Sequence, residues 1–389
     1  MNPRILGLCI VAMLSALGVL VGEDSFADTA EPVRAVLVQA TGNVSVEDGG
    51  GARHAPRFRR VARLSMVSVG DRIHVGDESR AVLICSNDRR VSLSAGSRDR
   101  ISVDLCLAGR EARAGTFADL VEIEGRVLAD RGAVIVERLP RGEGNLREIP
   151  RLLIPRNSAV ISSQPDLVWT RVPGAATYLL RARGGVSWQQ EVPSDHCTPA
   201  TSSCTLSWPS SVLLPPQTEV EIEVSILDDG GLQRTESVTP RLHRLSNEEA
   251  LRIQGAIQAI SLLDLAHEEQ ALLSGEIYRA HQLYGEAISA LRQATAGSDS
   301  SELHLLLGES HLLVGLLDFA EKAFLQALSI ERAPEVIARA ALGLGQIEWV
   351  RGEERVGREH LLEAAALFHQ MDRLEEEQAV RRLIGQISF

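Results

Sequence analysis

The chain has 389 residues, of which 44% are hydrophobic, and a formal net charge of −12. This length predicts two or three domains with ample buried cores, and the acidic balance argues against nucleic acid as the main partner. Nearly all of the excess charge, −11, falls in residues 246–389, which predicts a domain boundary near residue 245.

Residues 1–27 have the layout of a secretory signal peptide. One arginine precedes an apolar run, Ile5–Gly22, and Ser25-Phe26-Ala27 then supplies small residues where signal peptidase cleaves. We expect cleavage after Ala27 and an exported protein of the periplasm or cell envelope. The alternative is an uncleaved membrane anchor, because the apolar run just reaches the length that spans a bilayer.

Four cysteines follow the predicted cleavage site: Cys85, Cys106, Cys197 and Cys204. In an oxidising compartment such cysteines form disulfides, and four allow three pairings. We expect the two local pairs, Cys85–Cys106 and Cys197–Cys204. No two cysteines have the two-residue spacing of a zinc knuckle, so no metal site is predicted.

The stretch Leu83–Cys106 predicts three short strands. The predicted turns are at residues 86–88 and 97–99. The first and third strands of a flat meander lie about 9.6 Å apart, beyond the roughly 7 Å that a disulfide allows between Cα atoms. Either the sheet curls or Cys106 lies past its strand. If Ile101, Val103 and Leu105 alternate inward, Cys106 faces outward.

Residues 31–150 are strand-like throughout, with a GxVxV strand at residues 42–46 and Gly-Asp turns at Gly70-Asp71 and Gly76-Asp77. The pattern resembles the FecR-type extracytoplasmic domain. It also matches that family at these positions: Ile73, Ser79, Ala81, Leu83, Asp88, Val91, Leu93 and Gly96. The resemblance implies an all-β domain.

FecR-type sigma regulators carry a cytoplasmic helical domain and a membrane helix before this module, whereas a signal peptide precedes it here. We therefore expect an envelope-binding module rather than a sigma-factor regulator. The arginines of residues 57–63 are interpreted as a solvated loop in preference to a polyanion patch.

Residues 151–245 combine short alternating strands with turns at Pro173-Gly174 and at residues 228–231. This spacing predicts a small β-sandwich. The pattern around Trp169 and Tyr178 resembles fibronectin type III-like modules of bacterial envelope proteins, which implies that both side chains are core residues rather than sugar-stacking ones.

At Ser246 the hydrophobic period changes to that of a helix, and Ser246 with Glu249 forms a predicted capping box. Three segments then align on Gly275, Gly308 and Gly345, in steps of 33 and 37 residues. They resemble tetratricopeptide repeats, which implies an α-solenoid of stacked helix pairs. Residues 246–265 and 372–389 are predicted caps, the latter with Glu377 and Arg381 one helical turn apart.

In repeats of this kind the first helix of each pair lines a concave groove that binds a peptide or protein. The residues that face this groove by spacing are Glu276, Arg279, Glu309, Leu312, Gln346 and Trp349. The mixture suits a peptide with basic and apolar side chains. Trp349 is the predicted anchor, unless it packs against the capping helix.

The sequence contains no G-x-S-x-G, no H-E-x-x-H and no glycine-rich phosphate loop. His304 and His311 are interpreted as packing or surface residues. We therefore expect no enzyme activity and no cofactor. The predicted function is an exported scaffold that binds proteins through its helices and envelope components through its β domains. The alternatives are an envelope sensor of the FecR type and a cell-wall glycan binder.

Overall fold

The computed structural model describes residues 34–111 with gaps at 42, 48–57, 61–63 and 78, then Leu120, then 149–387 with gaps at 199–202, 228–232 and 236–238. The predicted signal peptide, the turn at 228–231, the strand-like residues 121–139 and most of the 57–63 arginine cluster lie outside the described residues. All described residues belong to one compact unit, with β-sheets in the first half and helices in the second.

The first β-rich segment forms two sheets. Its strands are β1 (Arg34–Thr41), β2 (Val44–Glu47), β3 (Phe58–Arg60), β4 (Ser65–Ser68), β5 (Arg72–Val75), β6 (Arg80–Cys85), β7 (Arg89–Leu93), β8 (Arg98–Arg100) and β9 (Arg110–Glu111). Sheet 1 has the order β4-β1-β6-β7-β9, and sheet 2 has the order β3-β2-β5-β8. Every neighbouring pair is antiparallel.

Sheet 1 is buried on both faces at its centre. On β1, Ala35 and Leu37 pack towards sheet 2, whereas Val36 and Val38 pack towards the helical half. The same division recurs on β6. A strand covered on both faces needs apolar residues at consecutive positions rather than at alternate ones, and residues 35–38 and 81–85 have that composition.

The position of Cys106 differs from the one that the sequence predicts. The third strand, predicted over residues 100–106, is wrong. Strand β8 ends at Arg100, and α1 (Val103–Leu107) follows it, capped by Ser102, whose Oγ accepts a hydrogen bond from the Leu105 amide at 3.2 Å. Cys106 is therefore a helical residue, 1% exposed, and faces the core rather than solvent.

This position past the strand brings the Cα atoms of Cys85 and Cys106 to 5.8 Å, and the two cysteines form a disulfide. The predicted turn at residues 97–99 is also wrong, because Arg98 begins β8. The chain turns earlier, at Gly96, with φ +80°.

The second β-rich segment forms the other two sheets. Its strands are β10 (Leu152–Ile154), β11 (Ser158–Val160), β12 (Leu167–Thr170), β13 (Thr177–Gly184), β14 (Trp188–Pro193), β15 (Cys197–Thr198), β16 (Ser203–Leu206), β17 (Glu219–Leu227), β18 (Gln233–Thr235) and β19 (Arg241–Arg244). Sheet 3 has the order β10-β12-β16-β15. Sheet 4 has the order β11-β19-β17-β13-β14, with β18 also paired to β17.

Trp169 and Tyr178 lie at the centre of a core that sheets 3 and 4 share, and both are fully buried. Their rings meet edge to face with centroids 5.7 Å apart. The Tyr178 hydroxyl accepts a hydrogen bond from the Val172 amide at 2.8 Å, so the polar end of the ring is satisfied inside the core. Cys197 and Cys204 face each other across β15 and β16, with Cα atoms 4.0 Å apart, and form the second disulfide.

The helical half begins at the predicted N-cap, since the Ser246 hydroxyl accepts a hydrogen bond from the Glu249 amide at 3.2 Å. The Glu249 carboxylate lies 3.5 Å from His281 Nδ1. Its helices are α2 (Asn247–Ser261), α3 (His267–Ala280), α4 (Tyr284–Thr295), α5 (Ser301–Leu313), α6 (Leu317–Ile330), α7 (Pro334–Arg351), α8 (Glu354–Gln370) and α9 (Leu374–Ile387). Helices adjacent in sequence pack against each other, and α3, α5 and α7 also contact one another in turn.

The aligned glycines mark the closest approaches between paired helices. A Cβ at Gly308 would lie 2.7 Å from the Phe324 ring, and one at Gly275 would lie 2.9 Å from Leu291. Gly345 meets the backbone of Gly357 in the same way. Helix pairs at this distance leave no room for even a methyl group, which explains why small residues recur at this position.

The two halves share a core and are not separate modules joined by a linker. Val36 and Val38 of sheet 1 belong to one apolar cluster with Ile253 of α2 and Ile277 of α3. At the edge of this cluster, the Arg90 guanidinium donates to the Asp264 carbonyl at 2.7 Å.

Gln39 is hydrogen-bonded to Glu269 across the same boundary. Residues of both α2 and α3 therefore pack against sheet 1.

Candidate functional site

The six predicted groove residues lie on three helices that stand side by side. Glu276 and Arg279 are on α3, Glu309 and Leu312 on α5, and Gln346 and Trp349 on α7. Since α5 contacts both α3 and α7, the structure brings these residues onto neighbouring first helices of successive pairs.

An ionic triad joins these three helices. The Arg279 guanidinium donates to Glu309 Oε2 at 2.7 Å, and the Arg339 Nε donates to Glu309 Oε1 at 2.8 Å. Arg279 and Glu309 are buried, and the Arg339 side chain is 22% exposed. One carboxylate on α5 thus binds one guanidinium from α3 and one from α7.

Two opposing effects set the pKa of Glu309. Burial disfavours the charged carboxylate and raises the pKa, but the charges of Arg339 and Arg279 and their hydrogen bonds outweigh burial, so the pKa is lowered. The triad therefore stays ionised and holds the three helices in register. The prediction placed Arg279 and Glu309 in a groove but missed Arg339. The spacing in the sequence could have predicted it, since Arg279 and Glu309 are 30 residues apart, as are Glu309 and Arg339.

Leu312 and Gln346 are fully buried, so their side chains pack inside the domain and do not face a groove. Leu312 belongs to a cluster with Phe324 and Ile347. Gln346 Nε2 donates to the Leu342 carbonyl at 3.4 Å within its own helix. The physical reason is that α5 and α7 are covered on more sides than the simple repeat pattern implies.

Glu276 and Trp349 are the predicted groove residues that are partly exposed. Trp349 packs against a cluster that contains Leu361 and Phe368 of α8 and Val380 of the last helix. The ring therefore has one face against the domain, in line with the packing alternative, and part of its surface at the boundary with solvent.

His304 and His311, the histidines considered in the sequence analysis, are partly buried and buried respectively. His311 is buried with its ring 5.5 Å from that of Phe319, and burial, with a smaller effect from Arg292, lowers its pKa to about 4. Burial also lowers the pKa of His304. Both are therefore neutral near pH 7.

Glu286, which the sequence analysis did not single out, is an ionisable group at the boundary between α4 and β11. The nearby backbone amides of Glu286 and Ile161 favour the charged form of this carboxyl, but burial outweighs them and raises its pKa to about 7. Nearby Tyr278 has a pKa raised by burial and by the charge of Glu286. A carboxyl that is partly protonated at neutral pH thus lies where the second β-rich segment meets the helices.

Within the described ranges, no group of three or more histidine, cysteine or acidic side chains has the geometry to hold a metal ion. Among the same residues, no helix has the length and apolar character needed to cross a bilayer. In sequence comparison, no protein-family model and no curated protein matches this chain.

Proposed function

We propose that the protein is an exported, non-enzymatic adaptor of the bacterial cell envelope, with a FecR-like β domain, a fibronectin type III-like sandwich and tetratricopeptide-like repeats. The observation that carries this proposal is the side-by-side arrangement of α3, α5 and α7, the first helices of successive pairs. Stacked pairs of this kind offer an extended surface to a protein partner. The two disulfides are compatible with export.

The partner-binding surface is proposed around Glu276 and Trp349, the partly exposed members of the predicted set. The buried ion pair of Arg279 and Glu309 joins α3, which carries Glu276, to the neighbouring helix α5. A partner with basic and apolar side chains fits this surface if it extends across α5, from the Glu276 carboxylate on α3 to the Trp349 ring on α7.

Affinity capture from envelope extract tests this surface, with the mature full-length chain as bait. We expect Trp349→Ala to weaken capture of a reproducible partner by about tenfold or more, at a temperature at which circular dichroism shows the variant to be folded. Phe319→Ala is the matched control, because Phe319 is an aromatic residue 43% exposed on α6 and outside the predicted surface. Equal capture by both variants would contradict the proposal. A large fall in the melting temperature of Trp349→Ala would instead assign Trp349 to the core.

A second candidate function is an envelope sensor, and the shared core favours it. A ligand that shifted sheet 1 would act directly on α2 and α3, because Val36 and Ile253 belong to one cluster. Hydrogen exchange separates the candidates. A sensor shows changed protection in α2 and α3 when an envelope ligand binds the β half, whereas a static adaptor shows changes confined to the binding surface.

A further inference from the structure

The outer face of sheet 2 carries a compact group of cations in a chain that is acidic overall. Arg72 lies directly opposite Arg100, and His74 lies directly opposite Arg98, on the adjacent strands β5 and β8. The intervening residue Ile73 is buried in the core, so these four side chains share the opposite, solvent-facing side. Opposed residues are about 5 Å apart and successive ones on a face about 7 Å, so the four form a small square.

Three of the four corners are exposed arginines: Arg72, Arg98 and Arg100. The nearest carboxylate is Glu47 on β2, 4.0 Å from Arg72 and 3.0 Å from His74. Within the part of the chain that the structure describes, no carboxylate lies within ion-pair distance of Arg98 or Arg100. Among the described residues, the two corners on β8, Arg98 and Arg100, therefore have no carboxylate to offset their charge.

Protection of a sheet edge accounts for part of this pattern but not for all of it. Strand β8 is an edge of sheet 2, and charged residues on edge strands discourage pairing with other chains. Arg72, however, lies on β5, which has neighbours on both sides. Like charges directly opposite each other destabilise a sheet. Glu47 offsets part of the charge of Arg72, and an anion between Arg72 and Arg100 would relieve the repulsion that remains between them.

We propose that the square formed by Arg72, His74, Arg98 and Arg100 is a binding site for a phosphate group. A guanidinium presents parallel N–H donors that match two oxygens of a phosphate. Three guanidiniums around one point supply donors to several oxygens of a tetrahedral anion. His74, at the fourth corner, is held by its 3.0 Å contact with Glu47. The phosphate is either free or the headgroup of a phospholipid, and the chemistry of recognition is the same for both.

This inference gives a chemical class to the envelope component that the proposed function assigns to the β half. It rests on that proposal only for the source of the phosphate. Binding at the square is measured without any protein partner, so failure here leaves the adaptor surface on the helices untouched, and failure of partner capture leaves the phosphate site untouched.

The test compares two triple variants of the mature full-length protein. The site variant carries Arg72→Gln, Arg98→Gln and Arg100→Gln. The control carries Arg34→Gln, Arg80→Gln and Arg110→Gln, three exposed arginines of sheet 1, so both variants lose the same charge. Calorimetric titration with inorganic phosphate and with pyrophosphate forms one arm, and cosedimentation with phosphatidylglycerol vesicles forms the other.

We expect saturable binding that the site variant weakens by about tenfold or more and that the control leaves nearly unchanged. If the site variant loses binding to phosphate or pyrophosphate in the calorimetric titration, the ligand is a small phosphate. If it loses only vesicle binding, the ligand is a lipid headgroup. The proposal is overturned if both triple variants bind like the wild type or lose binding equally in both arms. It is also overturned if polygalacturonate, which carries only carboxylates, binds the square as tightly as pyrophosphate.

Circular dichroism and melting show whether the site variant folds. If the triple site variant does not fold, phosphate binding is measured on the single variants Arg98→Gln and Arg100→Gln. Arg110→Gln is then the control, because all three residues are exposed. Each single site variant is expected to weaken binding by about threefold or more, and no difference from Arg110→Gln would overturn the proposal.

Discussion

Arg156 Nε donates a 2.8 Å hydrogen bond to the carbonyl of Val314, 158 residues further along the chain. The bond joins the turn after β10 to the C-terminal end of α5. Arg156 is only 4% exposed, and its Nη1 also donates to the Leu152 carbonyl at 3.2 Å. This buried cation thus links the second β-rich segment to the helices, together with the hydrogen bonds that Ser158 and Ala159 donate to the Gln282 carbonyl.

Replacing this residue should weaken the boundary between the two halves. We expect Arg156→Met to lower the free energy of unfolding by about 2–3 kcal/mol, because buried carbonyls lose a charged donor. Urea denaturation followed by circular dichroism measures the loss. Arg183→Met is the control, since that side chain is 63% exposed in its pair with Glu223 and should cost less than about 1 kcal/mol. Equal losses would mean that Arg156 does not fasten the halves.

The ionic triad predicts a larger effect at Glu309. Glu309→Gln removes the charge that two guanidiniums share and should destabilise the helical half by about 3–5 kcal/mol. Glu359→Gln removes the partner of an exposed pair with Arg355 and should cost about 0.5 kcal/mol or less. Thermal melting of both variants at pH 7 makes the comparison, and a Glu309 variant as stable as the Glu359 control would refute a structural role for the triad.

The Glu309 carboxylate should also make the stability of the protein depend on pH in the acid range. The pKa of Glu309 is lowered in the folded protein, so its stabilisation is complete above the unfolded value of about 4.3 and is lost as pH falls through the folded pKa. Wild-type stability should therefore fall more steeply than that of Glu309→Gln below about pH 4. Melting temperatures measured between pH 7 and pH 3 check this, and parallel curves would contradict it.

For Glu286 we expect the opposite dependence of stability on pH. Its folded pKa of about 7 exceeds the unfolded value of about 4.3, so the folded protein binds the extra proton. The contribution of this group to stability is complete below about pH 4.3 and is lost as pH rises to 7 and above. Glu286→Gln should thus stabilise the protein relative to wild type at pH 8 and lose that advantage at pH 5. An advantage of equal size at both pH values would show that Glu286 does not titrate in this window.

Both disulfides should contribute to stability, and the longer loop should contribute more. Cys85 and Cys106 are 21 residues apart and Cys197 and Cys204 are 7 apart. Loop-closure entropy assigns roughly 2–4 kcal/mol to each, with the larger value for the longer loop. Paired Cys→Ser variants in urea denaturation test the order. Non-reducing peptide mapping tests the pairing itself, and four thiols open to alkylation before reduction would contradict it.

The sequence by itself determined the features that depend on near neighbours. The change from strand to helix at Ser246 was predictable because the hydrophobic period and the cap lie within a few residues. The two disulfide pairs were predictable because each closes a short loop. The ion pair between Glu377 and Arg381 formed as its one-turn spacing predicts, at 2.7 Å.

Only the tertiary structure decided which surfaces remain open. Leu312 and Gln346 follow the repeat pattern of groove residues, yet both are buried, because their exposure depends on neighbouring helices that a local period does not describe. Arg339 completes the triad from a helix 30 residues away, and the square on sheet 2 depends on the register of β5 against β8. Side-chain patterns within one element are a local property of the chain, whereas contacts between elements depend on how those elements pack.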